Sequence, residues 1–213
     1  MKVKFKYEKE KDVWCLLNKG KSSILSQSPT IAYTKLVSKF GENPDEKSAS
    51  LFIDEYLKEN NFNVNEYVSK YQKEFDNISE KFQKRAEEIF KVFLKEDVTI
   101  YLTVNERLPY NIKENYTFAC IGKGVQRHSI MHELWHFYTW YRWGKSWVDK
   151  LGSQKYHDIK ESLTILLNFV CKDLMPENLE DTGYPQHKEL REKIVKLWKE
   201  KQDIEYIWEN IIK

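Results

Sequence analysis

The residues with the clearest chemical potential are His132-Glu133-Leu134-Trp135-His136. On a helix, residues four apart share one face and lie about 6 Å apart along the axis, so two imidazoles so placed can grip one metal ion. The carboxylate directly after the first imidazole can then serve as general base toward a water activated by that metal. Met131, Leu134, Trp135, Phe137 and Tyr138 are apolar and no proline interrupts the stretch, so such a helix can be buried. The chain has five histidines, His128, His132, His136, His157 and His187, and none precedes residue 128. A localised site predicts that clustering. A lone histidine here would read as a hydrogen-bonded core residue; this pair with its glutamate reads as a metal centre holding one zinc ion per chain.

A catalytic zinc takes three protein ligands and leaves one position open, so a third ligand must be found. Glu161 is the candidate, with 24 residues between it and His136, near the start of a predicted helix. It lies within Lys160-Glu161-Ser162-Leu163-Thr164-Ile165-Leu166-Leu167-Asn168, an apolar setting for a carboxylate. There it either faces solvent, paired to Lys160 or Lys155, or meets a buried cation such as zinc. His157 and Asp158 stand on the same predicted helix and remain alternatives. His128 precedes His136 by two turns, about 12 Å along the axis, too far for both to share one metal. It reads as a donor behind the ligands or as a surface residue.

The elements that must position these groups follow from periodicity. Lys2 to Tyr7 alternates as a half-buried strand and Val13 to Leu17 is a second short apolar run, which together predict an N-terminal β-hairpin. Helical spacing covers about Pro29 to Phe40, Asp45 to Glu59 and Asn65 to Lys95. Val98 to Val104 alternates as a strand, with Val98, Ile100, Leu102 and Val104 on one side. Tyr116 to Ile121 reads as another strand, closed by Gly122 and Gly124. The motif helix spans about Gln126 to Trp143, a further helix about Tyr156 to Lys172, and a last long helix about Gln186 to Ile212. The expected organisation is a hairpin and helical region over 1–95, then a metal-binding catalytic region over 96–213. The aromatic run Trp135, Tyr138, Trp140, Tyr141, Trp143 and Trp147 reads as core beneath the central helix rather than as a pocket lining.

At this point the chain resembles the gluzincin group of zinc metallopeptidases, in which an HExxH helix is followed by a second helix supplying a glutamate ligand. The resemblance covers roughly residues 97–172 and rests on the order strand, strand, HExxH helix, glutamate helix. It implies an α+β fold with a zincin-like core: a small mixed sheet, the active-site helix and the glutamate helix, here preceded by a mainly helical region. It implies that His132, His136 and Glu161 are ligands and Glu133 the base. An edge strand, Val98 to Val104 or Tyr116 to Ile121, would hold extended peptide. Tyr184 or His187, from the loop entering the last helix, would stabilise the oxyanion. The chain departs from the pattern in a longer spacer. Ile165 stands where the family's aspartate follows the ligand glutamate by one turn. The metzincin continuation is absent, with Gly144 eight residues after His136 and no histidine near.

The 213 residues, 41% hydrophobic and 32% charged, form a soluble globular composition with enough chain for a sizeable core. A net charge of +2, with lysines and glutamates interspersed, gives no argument for a nucleic-acid partner. No segment approaches the ~18 apolar residues of a membrane span. Cys15, Cys120 and Cys171 lie far apart among apolar neighbours, as buried free thiols of a reducing compartment do, and the expected location is cytoplasmic. The reading is a zinc-dependent hydrolase, a peptidase acting on peptide or protein. Two alternatives stay open: a metal-binding regulator of a single protein partner, and a scaffold whose metal is closed by a fourth ligand. An intact Glu133 speaks against the scaffold, which has no need of that carboxylate.

Overall fold

The computed structural model describes residues 1–20, 28–123 and 126–213, which leaves Gly124 outside the described residues. The chain is α+β, mostly helical with one small mixed sheet. It divides into two compact units. One holds residues 2–76 and 96–126; the other holds Met1, 77–95 and 127–213. Each unit therefore takes residues from both sides of position 95, unlike the single boundary expected from sequence.

In the first unit, β1 (Val3–Lys6) buries Val3 and Phe5 and exposes Lys4 and Lys6. The expected hairpin does not form: Lys9–Lys19 is a helix, α1. At five residues the Val13–Leu17 run fits either period, and the spacing Val13, Leu16, Leu17 places one apolar stripe on a helix. β1 instead pairs in parallel with β2 (Val98–Thr103), Val3 opposite Val98, a connection no tight turn can make.

α2 (Ile31–Phe40) is capped by Thr30 and α3 (Glu46–Glu59) by Asp45, whose side chains accept from Tyr33 N and Ser48 N. Val13, Leu16, Leu36, Phe52, Ile53 and Val104 pack together beneath these helices. The first part of α4 (Val64–Phe90) belongs here too, and its Gln72 binds the backbone of Val3 and Phe5 through side-chain bonds of 3.0 Å. α4 is shorter than expected: Lys91 takes a left-handed φ of 55°, which ends it.

β3 (Tyr110–Asn111) and β4 (Tyr116–Cys120) complete the sheet in the order β1-β2-β4-β3. β2 is thus internal, paired on both sides, and the edge role expected for Val98 to Val104 is excluded. β4 is paired along its length by β2 and only at Tyr116 and Thr117 by β3. Behind the strand end, the fully buried Asp12 of α1 accepts from Thr103 Oγ1 at 2.6 Å and Val104 N at 3.0 Å. Burial pushes its carboxyl up to about 7, with those two bonds opposing.

The second unit contains residues 77–90 of α4 with α5 (Arg127–Arg142), α6 (Gly144–Leu151), α7 (Ser153–Leu163), the short α8 (Leu167–Val170), α9 (Lys188–Glu200) and α10 (Ile204–Ile211). The helix expected over 156–172 starts earlier and tightens into a 3₁₀ turn at Thr164–Leu166 before α8. The last helix is broken at residues 201–203, where Asp203 caps α10 by accepting from Glu205 N and Tyr206 N. The aromatic run is largely core: Trp135 and Tyr138 pack on Phe82 and Phe90, and Trp143 stacks on Trp208 with centroids 3.8 Å apart. Tyr141 is the exception, exposed on the surface. Among the described residues no helix is long and apolar enough to cross a membrane.

Candidate metal centre

α5 carries His132 and His136 on one face, their ring centroids 4.8 Å apart and nearly perpendicular. The helix is held at this depth by Trp135, whose indole Nε1 donates to Leu163 O at the end of α7. α7 brings Glu161 to the pair. Its Oε1 lies 3.3 Å from His136 Nε2 and its Oε2 lies 3.5 Å from His132 Nε2. Glu161 is only 7% exposed, so it is not the solvated helix carboxylate of the bland alternative. Ligand atoms of all three residues lie within 4.8 Å of one another.

This donor set fits a zinc ion. Two imidazole nitrogens and a carboxylate oxygen are its usual ligands, and metal–ligand bonds of about 2.05 Å at tetrahedral angles place ligand atoms about 3.4 Å apart. The two carboxylate–imidazole separations, each to a different Glu161 oxygen, lie close to that value, while the three ligand atoms together span up to 4.8 Å. His157 and Asp158, the alternatives from sequence, are engaged differently. His157 Nδ1 is 4.0 Å from Glu161 Oε1, and Asp158 meets His187 and Gln154.

Two groups that sequence reasoning missed complete the cluster. Asp181 Oδ2 lies 2.6 Å from His132 Nδ1 and 3.5 Å from His128 Nε2. Asp181 lies on the loop that follows α8, outside the helix that carries Glu161. A ligand histidine that donates its other nitrogen to a carboxylate has its tautomer and ring orientation fixed. The loop is pinned in turn: Asn168 brackets Asp181, donating to its carbonyl at 2.9 Å and accepting from its N–H at 2.7 Å. The buried Arg191 donates to Asp181 Oδ1 at 2.7 Å and also to its carbonyl, and Thr164 Oγ1 donates to Oδ1 at 2.8 Å. Gly183, at φ 62°, lets the chain pass against the Arg191 guanidinium. The second missed group is Lys160, 3% exposed, whose Nζ donates to Glu161 Oε1 at 2.5 Å. Sequence named it only as a surface partner for Glu161.

Electrostatics follow from burial and crowding. Burial raises the Glu133 carboxyl to about 7, against His132 and Lys160 and with Glu161 and Asp181. Burial disfavours charge on His132, but the Asp181 and Glu161 carboxylates outweigh it and hold the imidazole well above its ordinary value. His136 is driven the other way, by burial first and then by Lys160. Burial opposes the charged forms of Glu161 and Asp181, yet the surrounding cations hold both well below the carboxylate range. His132 thus stands between two carboxylates that favour its charged form. Metal ligation through Nε2 requires that nitrogen to be free of a proton.

The two oxyanion candidates lie together, and His187 also faces the His157 ring, with centroids 6.4 Å apart. His187 is 4% exposed and bonded through Nε2 to Asp158 Oδ1 at 3.1 Å. Tyr184 packs edge-on against the His187 ring, centroids 5.7 Å apart, and is 40% exposed. Beyond His132 and His136, a third imidazole, His157, also approaches Glu161, its Nδ1 4.0 Å from Oε1. Comparison with protein-family models, with characterised proteins and with solved structures finds no match to this chain.

Proposed function

We propose that this chain is a zinc-dependent hydrolase of peptide bonds with a zincin-like core. The observation that carries the reading is the convergence of His132, His136 and Glu161 within 4.8 Å, with Glu133 beside them on α5. In support, β2, β4, α5 and α7 follow one another as strand, strand, HExxH helix and glutamate helix do in gluzincins, with β3 and α6 interposed. His132 and His136 would hold the ion through Nε2 and Glu161 through its carboxylate. When bound, zinc supplies Lewis acidity, acidifying a neighbouring water and polarising a carbonyl.

The chain's own residues supply the rest. Glu133, its carboxyl brought near neutrality by burial, accepts the proton of the attacking water and returns it to the leaving amine. Asp181 keeps the proton of His132 on Nδ1, so that Nε2 presents its lone pair. The substrate is peptide or protein. The three buried free cysteines suit a reducing, cytoplasmic setting.

The test is metal content by elemental analysis together with cleavage of a peptide library. The parent protein is expected to hold one zinc and cleave. Glu133→Gln is expected to keep the zinc and lose cleavage, and Glu161→Ala to lose both. A parent that takes up no zinc even when supplied with it, or a Glu133→Gln variant that cleaves like the parent, overturns the proposal.

A further inference from the structure

Lys160 is a group in the described cluster that zinc chemistry does not ask for. Neighbouring residues on a helix point about 100° apart and are not natural partners. Yet the Lys160 side chain turns to its neighbour Glu161 and buries its ammonium there, 2.5 Å from Oε1. His136 Nε2 approaches the same oxygen at 3.3 Å, while Oε2 faces His132. An ammonium out of water needs a paired anion, and a buried carboxylate needs a cation. Each meets the other's need before any metal arrives. A divalent cation on this carboxylate then sits beside a fixed positive charge.

We propose that Lys160 is a built-in counter-ion that competes with the metal for Glu161, making zinc binding weaker and more reversible than the three ligands alone would give. The inference rests on the zinc reading above. Its logic has two parts that act in the same direction. Removing the ammonium leaves the Glu161 carboxylate under-paired in the metal-free fold, which raises the free energy of that state. It also removes a repulsion from the zinc-loaded state. Both changes tighten binding. Lys160 thus stabilises the empty site at the expense of the filled one.

The experiment is a competition titration of metal-free protein against a chromophoric zinc chelator, for the parent, Lys160→Met and Lys160→Gln, with thermal unfolding of each with and without zinc. Methionine matches the lysine stem without charge, and glutamine keeps a donor without charge. Both variants are expected to bind zinc more tightly, by roughly tenfold or more, within the usual range of coupling between two binding events. Their metal-free Tm should fall, and zinc should raise it by more than it raises the parent's. A variant that folds only when zinc is present is the extreme of the same coupling. If Lys160→Met folds under neither condition, Lys160→Gln carries the test. A parent that binds zinc, with variants binding equally or more weakly, overturns the inference and leaves the site reading intact. If neither the parent nor the variants bind zinc, the site reading itself fails.

Discussion

Asp181→Asn isolates the contribution of the loop carboxylate. In the parent, Asp181 Oδ2 sits 2.6 Å from His132 Nδ1, so the imidazole proton belongs on Nδ1. Oδ1 is occupied by Thr164 and Arg191 at 2.8 and 2.7 Å. Asparagine keeps the shape, and with its oxygen toward Arg191 and Thr164 it keeps those two bonds. Its NH₂ is then turned toward His132 Nδ1, a donor facing the nitrogen that should itself donate. The favoured tautomer becomes the one with its proton on Nε2, where the proposed zinc ion would bind. Loss of such a partner typically weakens metal affinity by about 10–100-fold. That is about 1.4–2.7 kcal/mol of binding free energy. Because Arg191 retains an acceptor, the fold should survive; Asp181→Ala would instead strand a buried guanidinium. A chelator competition titration reads the affinity and thermal unfolding checks the fold. A folded Asp181→Asn protein that binds zinc as tightly as the parent would refute the argument that this carboxylate sets the ligand's tautomer.

Two further expectations concern stability. The Asp12 carboxyl titrates near 7 in the fold, while in the unfolded chain it does so near its ordinary value of about 4. Between those pH values the folded state binds the extra proton, so stability falls as pH rises through that window and the loss persists above it. Asp12→Asn should therefore be the more stable protein at pH 8, by on the order of 1–4 kcal/mol, with the difference shrinking toward pH 4. Urea unfolding at several pH values checks this, and a pH-independent difference would contradict it. Gly183→Ala should lower Tm and weaken zinc binding together, because the residue sits at φ 62° and the new Cβ would lie 2.6 Å from Arg191 Nη1. The cost is about 1–3 kcal/mol, and an unchanged Tm would show that Arg191 can yield without loss.

What could be read from sequence was local. α5 and the strands β2 and β4 lie where the sequence pattern puts them: α5 and β2 are long enough to show a clear period, and β4 is a short apolar run closed by Gly122. α1 was misread because five apolar residues fit two periods, and only the spacing of Val13, Leu16 and Leu17 separates them. The break before α10 turns on one capping residue, Asp203, inside an otherwise continuous amphipathic pattern. Within the candidate centre, the pair on α5 is legible because one helix turn spaces its members, and Glu161 because a carboxylate is out of place in its apolar helix. Asp181 lies 49 residues from His132 on an irregular loop, and no spacing rule reaches that far. Lys160 was visible as a charge but not as a buried one, since burial depends on what packs over α7.

The three cysteines carry a consequence of their own. All are buried and unpaired, and burial first of all pushes each thiol up to about 12. Since the thiolate is the reactive species, the folded chain offers alkylating reagents almost nothing to attack. Labelling therefore waits on opening, and its rate counts how often the surrounding structure comes apart. Cys15 and Cys120 belong to one compact unit and Cys171 to the other. The protein thus carries native reporters for the opening of each unit, distinguishable by peptide mass in a single time course.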